Sequence, residues 1–350
     1  MNMKKIARVS LIAALLVIMG AGTVFAGGGS QSGAQSGGAQ SAWKWERKVT
    51  FISPWGPGGG SGPTIRNIVP LVEQVVGVPC EVQHIEGAGG ANGAIAAQRQ
   101  PPDGYTWLLA TQTQILLDLQ KTLPYDFKSE WIPVGKLVHS TNGLMASAKA
   151  MKGKYTDFKS LIAYVKAHPK ELSIAMLSAG GTDAACLYET LSMAFGVPMN
   201  QVEDYIKIVS YGGGSEIDSA LVGGHVDLAI AGPGDEEGLI ESGDVIPLVV
   251  MAEKRMKSFP DIPTTGEMGI NAYIGTWRGI WARKGTPQAA IDAMEVALQK
   301  AWSMPPYQEF CDVEGYDERT GFEGQADFKK LVDSDYVAFT EYLKARGLLK

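Results

Sequence analysis

Length, composition and charge limit the kinds of partner that this 350-residue chain can bind. It carries 31 basic and 37 acidic side chains and a formal net charge of −6. This acidic balance argues against nucleic acid and against anionic membrane surfaces as partners, because both bind basic proteins. It does not argue against a small anionic ligand, since local backbone N–H groups decide such binding.

The first 26 residues have the pattern of a signal peptide. Lys4, Lys5 and Arg8 form a basic region, and residues 11–19 are apolar but short for a transmembrane helix. Ala26 then ends a small-x-small cleavage pattern; the alternative is an uncleaved N-terminal anchor. Residues 27–42 are almost all Gly, Ser, Gln and Ala, which predicts a flexible linker.

Two glycine-rich turns follow at equivalent points of a strand–turn–helix pattern. The first covers residues 53–63, between a predicted strand at 49–53 and a predicted helix at 64–76. The second covers residues 87–93, between a strand at 81–85 and a helix at 93–100. Such turns expose N–H groups at a helix N-terminus and bind anions. Each could also be an ordinary turn, but two in one sheet could hold one small anion between them.

The alternation continues along the chain and predicts an α/β fold with parallel strands. About 300 residues exceed the usual size of a single core, which predicts two domains. Ligands bind at the carboxyl ends of strands in open α/β sheets, so two such domains would face a shared cleft. The further predicted strands lie at 105–110, 134–138, 143–147, 173–177, 206–209, 226–231, 246–251 and 277–282, and the further helices at 156–167 (with Thr156 as N-cap), 184–195, 216–221, 287–302 and 327–345.

Catalytic and nucleotide-binding motifs are weak in this sequence. The first turn lacks the Gly-Lys-Ser/Thr of a P-loop and the spacing of a dinucleotide fingerprint. We find no G-x-S-x-G elbow and no H-x-x-x-H spacing, and we expect neither a cofactor nor a metal. An enzyme would need a base and a nucleophile drawn from dispersed turn residues, namely Asp183, Tyr211, His225 and Asp227.

Neutral hydrogen-bond donors follow several predicted strands of the second half, at Ser178, Thr182, Tyr211 and Ser215. Hydroxyl groups and backbone amides can hold a carboxylate without adding a buried charge. Other candidates have two readings. Trp55 could form an apolar wall or belong to the core, and Asp183 could cap a helix or contact ligand. Arg278 could pair with a ligand carboxylate or form a salt bridge at the surface or between domains.

An ordered set of short motifs resembles a known family. The motifs are Pro54 to Ser61, Gly87-Ala88-Gly89-Gly90, Pro102 to Thr106, Leu123-Pro124-Tyr125-Asp126, Gly223 to Asp227, Pro260 to Thr264, and, for one branch, Ser178 to Asp183 with Trp277-Arg278-Gly279. Together they resemble the extracytoplasmic receptors of tripartite tricarboxylate transporters, also called the Bug family, and in particular the tricarboxylate-receptor branch. The resemblance covers essentially the whole chain after residue 26.

The resemblance implies a two-lobed periplasmic-binding-protein fold (type II) that closes on a small carboxylate. In that family two first-lobe loops hold one carboxylate, partly through ordered water. On this chain those loops are Pro57–Ser61 and Gly89–Asn92, and the second lobe contributes Ser178, Thr182 and the Tyr211–Ser215 turn. The ligand-binding residues expected from motifs and resemblance together are Trp55, Pro57, Gly58, Gly59, Ser61, Gly89, Gly90, Asn92, Thr111, Ser178, Thr182, Asp183, Tyr211, Ser215 and Arg278.

Three departures from the family pattern affect the expected ligand. Gly62 stands where the family often has an Asp, which removes an amine-selective contact and disfavours amino-acid ligands. Ala231 stands near a position where many members have Asp, and Ala184 where many members of the tricarboxylate branch have His.

The sequence thus predicts a signal peptide at 1–26, a linker at 27–42, a first lobe at 43–141 plus 263–350 and a second lobe at 142–262. We expect a monomeric periplasmic receptor that closes on a small di- or tricarboxylate and delivers it to the membrane permease subunits of a tripartite tricarboxylate transporter, with no nucleic-acid partner. The alternatives are a secreted enzyme acting on a carboxylated substrate and a ligand sensor for a membrane kinase.

Overall fold

A computed structural model describes residues 43–177, 181–316 and 321–349. The predicted signal peptide, the predicted linker and Ser178 lie outside the described residues. Strands and helices alternate along the chain as the glycine pattern predicts. The strands are β1 (Val49–Ser53), β2 (Cys80–His84), β3 (Thr106–Ala110), β4 (Trp131–Thr141), β5 (Gly143–Ser147), β6 (Ser173–Met176), β7 (Lys207–Ser210), β8 (Leu228–Ala231), β9 (Val245–Val250), β10 (Gly275–Arg283) and β11 (Glu323–Gly324).

The helices fill the connections between these strands. They are α1 (Ser61–Val76), α2 (Ala91–Gln98), α3 (Gln112–Leu119), α4 (Phe127–Glu130), α5 (Ala148–Met151), α6 (Phe158–Ala167), α7 (Thr182–Phe195), α8 (Gly214–Gly223), α9 (Glu237–Glu241), α10 (Gln288–Trp302), α11 (Pro305–Val313) and α12 (Gln325–Ala345). Short 3₁₀ turns cover Ala88–Gly90, Met199–Asp204 and Gly266–Met268. In the part of the chain that the structure describes, no helix is long and apolar enough to cross a membrane.

The strands form two separate sheets. The first has the order β11-β4-β10-β3-β1-β2 and the second has the order β7-β6-β8-β5-β9. We call each sheet with its helices a lobe. Asn142 alone separates β4 of the first lobe from β5 of the second. The chain returns between β9 and β10.

Both sheets are mixed, which corrects the expectation of parallel strands. β1 is parallel to β2 and β3, and β6 is parallel to β7 and β8. β10 runs antiparallel to β3 and β4, while β5 runs antiparallel to β8 and β9. The antiparallel pairs involve the strands next to the two lobe crossings, where the chain leaves one sheet or returns to it.

Helices cover both faces of the first sheet and complete its core. α1 and α10 pack together over one face, around Phe51, Trp107 and Ile280. The core on the other face extends into the second lobe, because Trp277 of β10 and the buried apolar residues of α7 belong to one cluster. The lobes therefore share apolar packing beside their crossing segments, and this packing fixes the strand ends that face each other.

One predicted helix start was wrong by one residue. Asp157, rather than Thr156, is the N-cap of α6. Its carboxylate accepts a hydrogen bond from the Ser160 N–H at 2.7 Å, and the Ser160 hydroxyl lies 3.1 Å from the Asp157 N–H. Among the described residues, five helices were not predicted from the sequence, namely α3, α4, α5, α9 and α11.

Candidate ligand-binding cleft

A cavity of about 530 Å³ lies between the two lobes, a size that suits a small-molecule ligand. Its first-lobe wall comes from the loops that follow β1, β2 and β3. Its second-lobe wall comes from the residues that follow β6, β7 and β8. The carboxyl ends of six strands thus border one cleft, as expected for ligand sites in α/β sheets.

In the described part of the chain, five helices begin at this cleft: α1, α2, α3, α7 and α8. Thr111 caps α3 through a capping box with Gln114. The other four helices have glycine as N-cap residue, and no side chain among the described residues caps them; these glycines are Gly60, Gly90, Gly181 and Gly213. Uncapped first-turn N–H groups and the positive ends of helix dipoles both favour an anion.

The first glycine-rich loop is held in place by side chains at its base. Ser53 is fully buried, and its hydroxyl donates to the Trp55 carbonyl at 2.9 Å. His84 Nδ1 lies 2.7 Å from the same carbonyl. Arg66 donates to the Pro57 carbonyl at 3.1 Å. These contacts fix residues 53–60 so that their backbone lines the cavity.

The second glycine-rich loop has an unusual backbone. Gly87, Ala88, Gly89 and Gly90 all have positive φ, at 112°, 51°, 61° and 91°. Ala88 has a Cβ, so this conformation costs about 1 kcal/mol or more there. Such strain persists where the surroundings enforce it, frequently at ligand sites. The Asn92 amide donates to the Glu86 carbonyl at 3.1 Å and closes the loop.

The lobes approach each other closely across the cleft. A Cβ on Gly59 would lie 4.0 Å from the Gly214 Cα of the second lobe, and a Cβ on Gly58 would lie 2.6 Å from the Ser215 hydroxyl oxygen. The Thr113 and Thr182 hydroxyl oxygens are 3.3 Å apart. Glycine at these positions allows backbone from both lobes to surround a small ligand.

Arg278 on β10 joins the two lobes. Its side chain is 6% exposed and lies 3.6 Å from the Asp235 carboxylate, which follows β8 in the second lobe. It also donates to the Ser61 hydroxyl at 3.3 Å and to the Tyr316 hydroxyl at 3.3 Å. The Tyr316 hydroxyl in turn donates to Asp235 at 3.0 Å. Of the two sequence interpretations, the structure thus contains the interlobe salt bridge.

Carboxyl groups are concentrated on the second-lobe side of the cleft. Asp183, Asp218, Asp235 and Glu236 all line the cavity. Burial raises the pKa of Asp183 to about 6, and nearby Arg278 opposes that rise. Burial, together with Asp218 and Asp235, raises the pKa of Glu236 to about 8. Of these four residues, only Asp183 was a candidate from the sequence.

The structure brings together most of the residues predicted to bind ligand. Asn92 does not line the cavity, and Tyr211 packs against the second-lobe core instead. Ser178 lies outside the described residues. The predicted residues that border the cavity are Trp55, Pro57, Gly58, Gly59, Ser61, Gly89, Gly90, Thr111, Thr182, Asp183, Ser215 and Arg278.

The residues considered for an enzyme mechanism are not brought together. Asp183 lines the cleft, but His225 is exposed outside it. Asp227 accepts hydrogen bonds from the Ser173 N–H and hydroxyl, both at 2.9 Å, and lies 3.1 Å from Lys154 Nζ. Asp227 thus ties β6 to its neighbours and has a structural role.

Two α/β lobes with a cleft lined by strand ends and helix N-termini define a periplasmic solute-binding protein. Residues 65–348 match the model of the tripartite tricarboxylate transporter family receptor. The chain belongs to this receptor family, as the motifs predicted, and the family is a class of binding proteins rather than of enzymes.

Individual relatives agree with this assignment. The chain is 30% identical over 271 residues to the UPF0065 protein in the gbd 5' region of Cupriavidus necator, covering 75% of this chain and 77% of the relative. The solved structure of periplasmic binding protein BugD is 26% identical, with a TM-score of 0.74 and coverage of 87% and 99%. The R. palustris protein Rpa4515, solved with adipate, is similar in fold with 24% identity, a TM-score of 0.77 and coverage of 86% and 98%.

Proposed function

We propose that this receptor captures a small organic acid by binding its carboxylate group in the first-lobe loops and closing both lobes around it. The observation that carries the proposal is the convergence on one cleft of four helix N-termini that no side chain of the described residues caps. A ligand that contacts both lobes favours the closed arrangement, because it binds that arrangement more tightly than an open one.

The proposal extends to the cell. The chain is exported with residues 1–26 as signal peptide, acts as a monomer without chemical turnover, and delivers its ligand to the membrane subunits of a tripartite tricarboxylate transporter. Cells that lack the protein should lose uptake of the acid. Unchanged uptake with altered transcription would instead support the sensor alternative.

Thermal unfolding of the purified protein with a ligand panel tests the carboxylate proposal. The panel contains mono-, di- and tricarboxylates, aromatic acids, amino acids, diamines, neutral sugars and inorganic cations. We expect acids to raise the unfolding temperature, since a ligand at 100 times its Kd adds about 2.7 kcal/mol of stability. A shift produced solely by sugars, diamines or inorganic cations would contradict the proposal, and conversion of a bound acid, followed by NMR, would support an enzyme.

A further inference from the structure

The charge around the cleft does not fit a ligand that is anionic at both ends. Among the described residues that line the cavity, Arg278 is the sole cation. Six of these lining residues carry a carboxyl group: Glu86, Asp183, Glu216, Asp218, Asp235 and Glu236. A second carboxylate on the ligand would therefore enter a region that is already negative.

Arg278 does not neutralise this group, because its guanidinium is already engaged. It donates to the Ser61 and Tyr316 hydroxyl groups and pairs with the Asp235 carboxylate. Asp235 is therefore compensated, whereas Asp183, Asp218 and Glu236 form no ion pair with any of the described residues.

Glu236 is the most informative of these side chains. The residue is 6% exposed, and its Oε2 atom has no hydrogen-bond donor from the described protein. Its carboxyl group forms a hydrogen bond with that of Asp218, a residue of α8, so the two groups can share a proton. A buried carboxyl oxygen without a donor is costly unless something else supplies that donor.

We propose that Asp218 and Glu236 bind the ammonium group of a primary amine, and that the ligand is a small amino-carboxylate held by its carboxylate in the first lobe and by its amine in the second. This inference rests on the proposed function for the carboxylate end. We call the part of the cleft lined by Asp218 and Glu236 its acidic end. An ammonium group offers three donors and a positive charge, and the acidic end lacks both. This contact does not involve the family Asp that Gly62 replaces, so the absence of that Asp does not disfavour the amine.

The proton balance distinguishes an amine from a second carboxylate. Burial and neighbouring carboxylates raise the pKa of Glu236 to about 8, so the Asp218–Glu236 pair carries about one proton near neutral pH. An ammonium group lowers that pKa and releases the proton on binding. A second ligand carboxylate would raise it and keep or take up a proton.

The experiment compares ligands matched in length and differing in their far end. Isothermal calorimetry measures the binding of straight-chain ω-amino acids, the dicarboxylates with the same number of carbon atoms and the corresponding diamines, each with three to six carbons, to the wild-type protein. We expect one amino acid to bind at least about tenfold more tightly than its dicarboxylate. We also expect net proton release, measured from the dependence of the binding enthalpy on the ionisation enthalpy of the buffer.

Two variants assign the effect to the acidic end. Glu236→Gln keeps the size of the side chain and should remove most of the amino-acid preference and the proton release. Glu241→Gln, at the exposed end of α9, makes the same change in net charge and should retain both. Circular dichroism and thermal unfolding confirm that both variants fold.

The outcomes separate the two proposals. Tighter dicarboxylate binding that Glu236→Gln leaves unchanged would overturn the amine site and leave the carboxylate function intact. Diamine binding that depends on Glu236, with no acid bound, would support the amine site and overturn the carboxylate function. Equal loss of the preference in both variants would also overturn the assignment to Glu236.

Discussion

Gly62 lies in the first turn of α1, directly beneath the first glycine-rich loop. A Cβ at this position would lie 2.1 Å from the Pro57 carbonyl oxygen and 2.3 Å from the Pro57 carbonyl carbon. The obstacle is backbone, so it cannot move without displacing the loop that lines the cleft. The loop geometry thus explains why this chain cannot carry an Asp here with its present backbone.

Replacing Gly62 with alanine tests whether the loop must lie this close to α1. We expect Gly62→Ala to push residues 56–60 out of place, to weaken acid binding and to cost about 1–3 kcal/mol of stability, as overpacking does. Calorimetry and denaturant unfolding measure the two effects. Gly238→Ala is the matched control, because a Cβ there meets nothing within 4 Å and lies outside the cleft. Wild-type affinity in Gly62→Ala would refute the explanation.

Among single residues, those on the first-lobe side of the cleft were predicted from the sequence better than those on the second-lobe side. The glycine loops were found because strand, glycine and helix follow each other within a few residues. Asp218 and Glu236 were missed because one lies inside α8 and the other follows β8. Their meeting depends on how the second sheet packs against α8, and no local pattern records that packing.

The start of α6 shows how a helix end depends on one side chain. Asp157 and Ser160 form a reciprocal capping box, and the hydrogen bond from the Ser160 N–H lowers the pKa of Asp157. A carboxyl group with a lowered pKa stabilises the folded state above its unfolded pKa. That contribution is lost as the pH falls through the folded pKa, which lies below the ordinary aspartate pKa of 3.8.

Two alanine substitutions decide which residue caps α6. We expect Asp157→Ala to reduce the free energy of unfolding at pH 7 by about 1 kcal/mol, as loss of an N-cap does. Thr156→Ala should have a smaller effect, because it keeps the backbone N–H contact with Ser160 at 3.0 Å, and the Thr156 side chain is the weakest of the causes that lower the pKa of Asp157. The difference between wild type and Asp157→Ala should shrink in acid. An equal loss in Thr156→Ala, or a loss independent of pH, would contradict the assignment.

Elements were predicted where local chemistry determines them. Most strands lie within a few residues of their predicted places, because apolar runs bounded by glycine are local signals. α3 was missed because Thr111 was taken as the end of a strand, although Thr111 and Gln114 have the spacing of a capping box. Strand direction was wrong at β5 and β10, because it depends on the lobe crossings and not on the residues of each strand.

At the scale of the whole molecule, contacts between the lobes decide how readily the cleft closes. Asp235 of the second lobe meets Arg278 and Tyr316 of the first. The Thr113–Thr182 contact adds a second polar link across the cleft. Any such contact that is broken on opening favours the closed state, and the apparent affinity of a ligand increases with the closed fraction.

Removing one interlobe hydrogen bond should therefore weaken binding without unfolding the protein. Tyr316→Phe keeps the aromatic ring but removes the hydroxyl that donates to Asp235 at 3.0 Å and accepts from Arg278 at 3.3 Å. We expect the binding free energy to weaken by about 0.5–1.5 kcal/mol, which is what one hydrogen bond contributes. This corresponds to a roughly 2- to 13-fold higher Kd. Calorimetry measures that change, and small-angle scattering of the ligand-free variant should show a larger radius of gyration.

Tyr307→Phe is the control for this substitution. Its hydroxyl is buried within the first lobe and has no hydrogen-bond partner among the described residues. Its removal should therefore change neither the ligand affinity nor the radius of gyration of the ligand-free protein. Equal affinity in Tyr316→Phe and wild type would show that the Asp235 contact does not contribute to closure. Equal weakening in both variants would assign the effect to the first-lobe core, because Tyr307 does not reach the second lobe. Weakening confined to Tyr316→Phe would mean that part of the binding energy measured for any ligand comes from protein contacts made across the cleft.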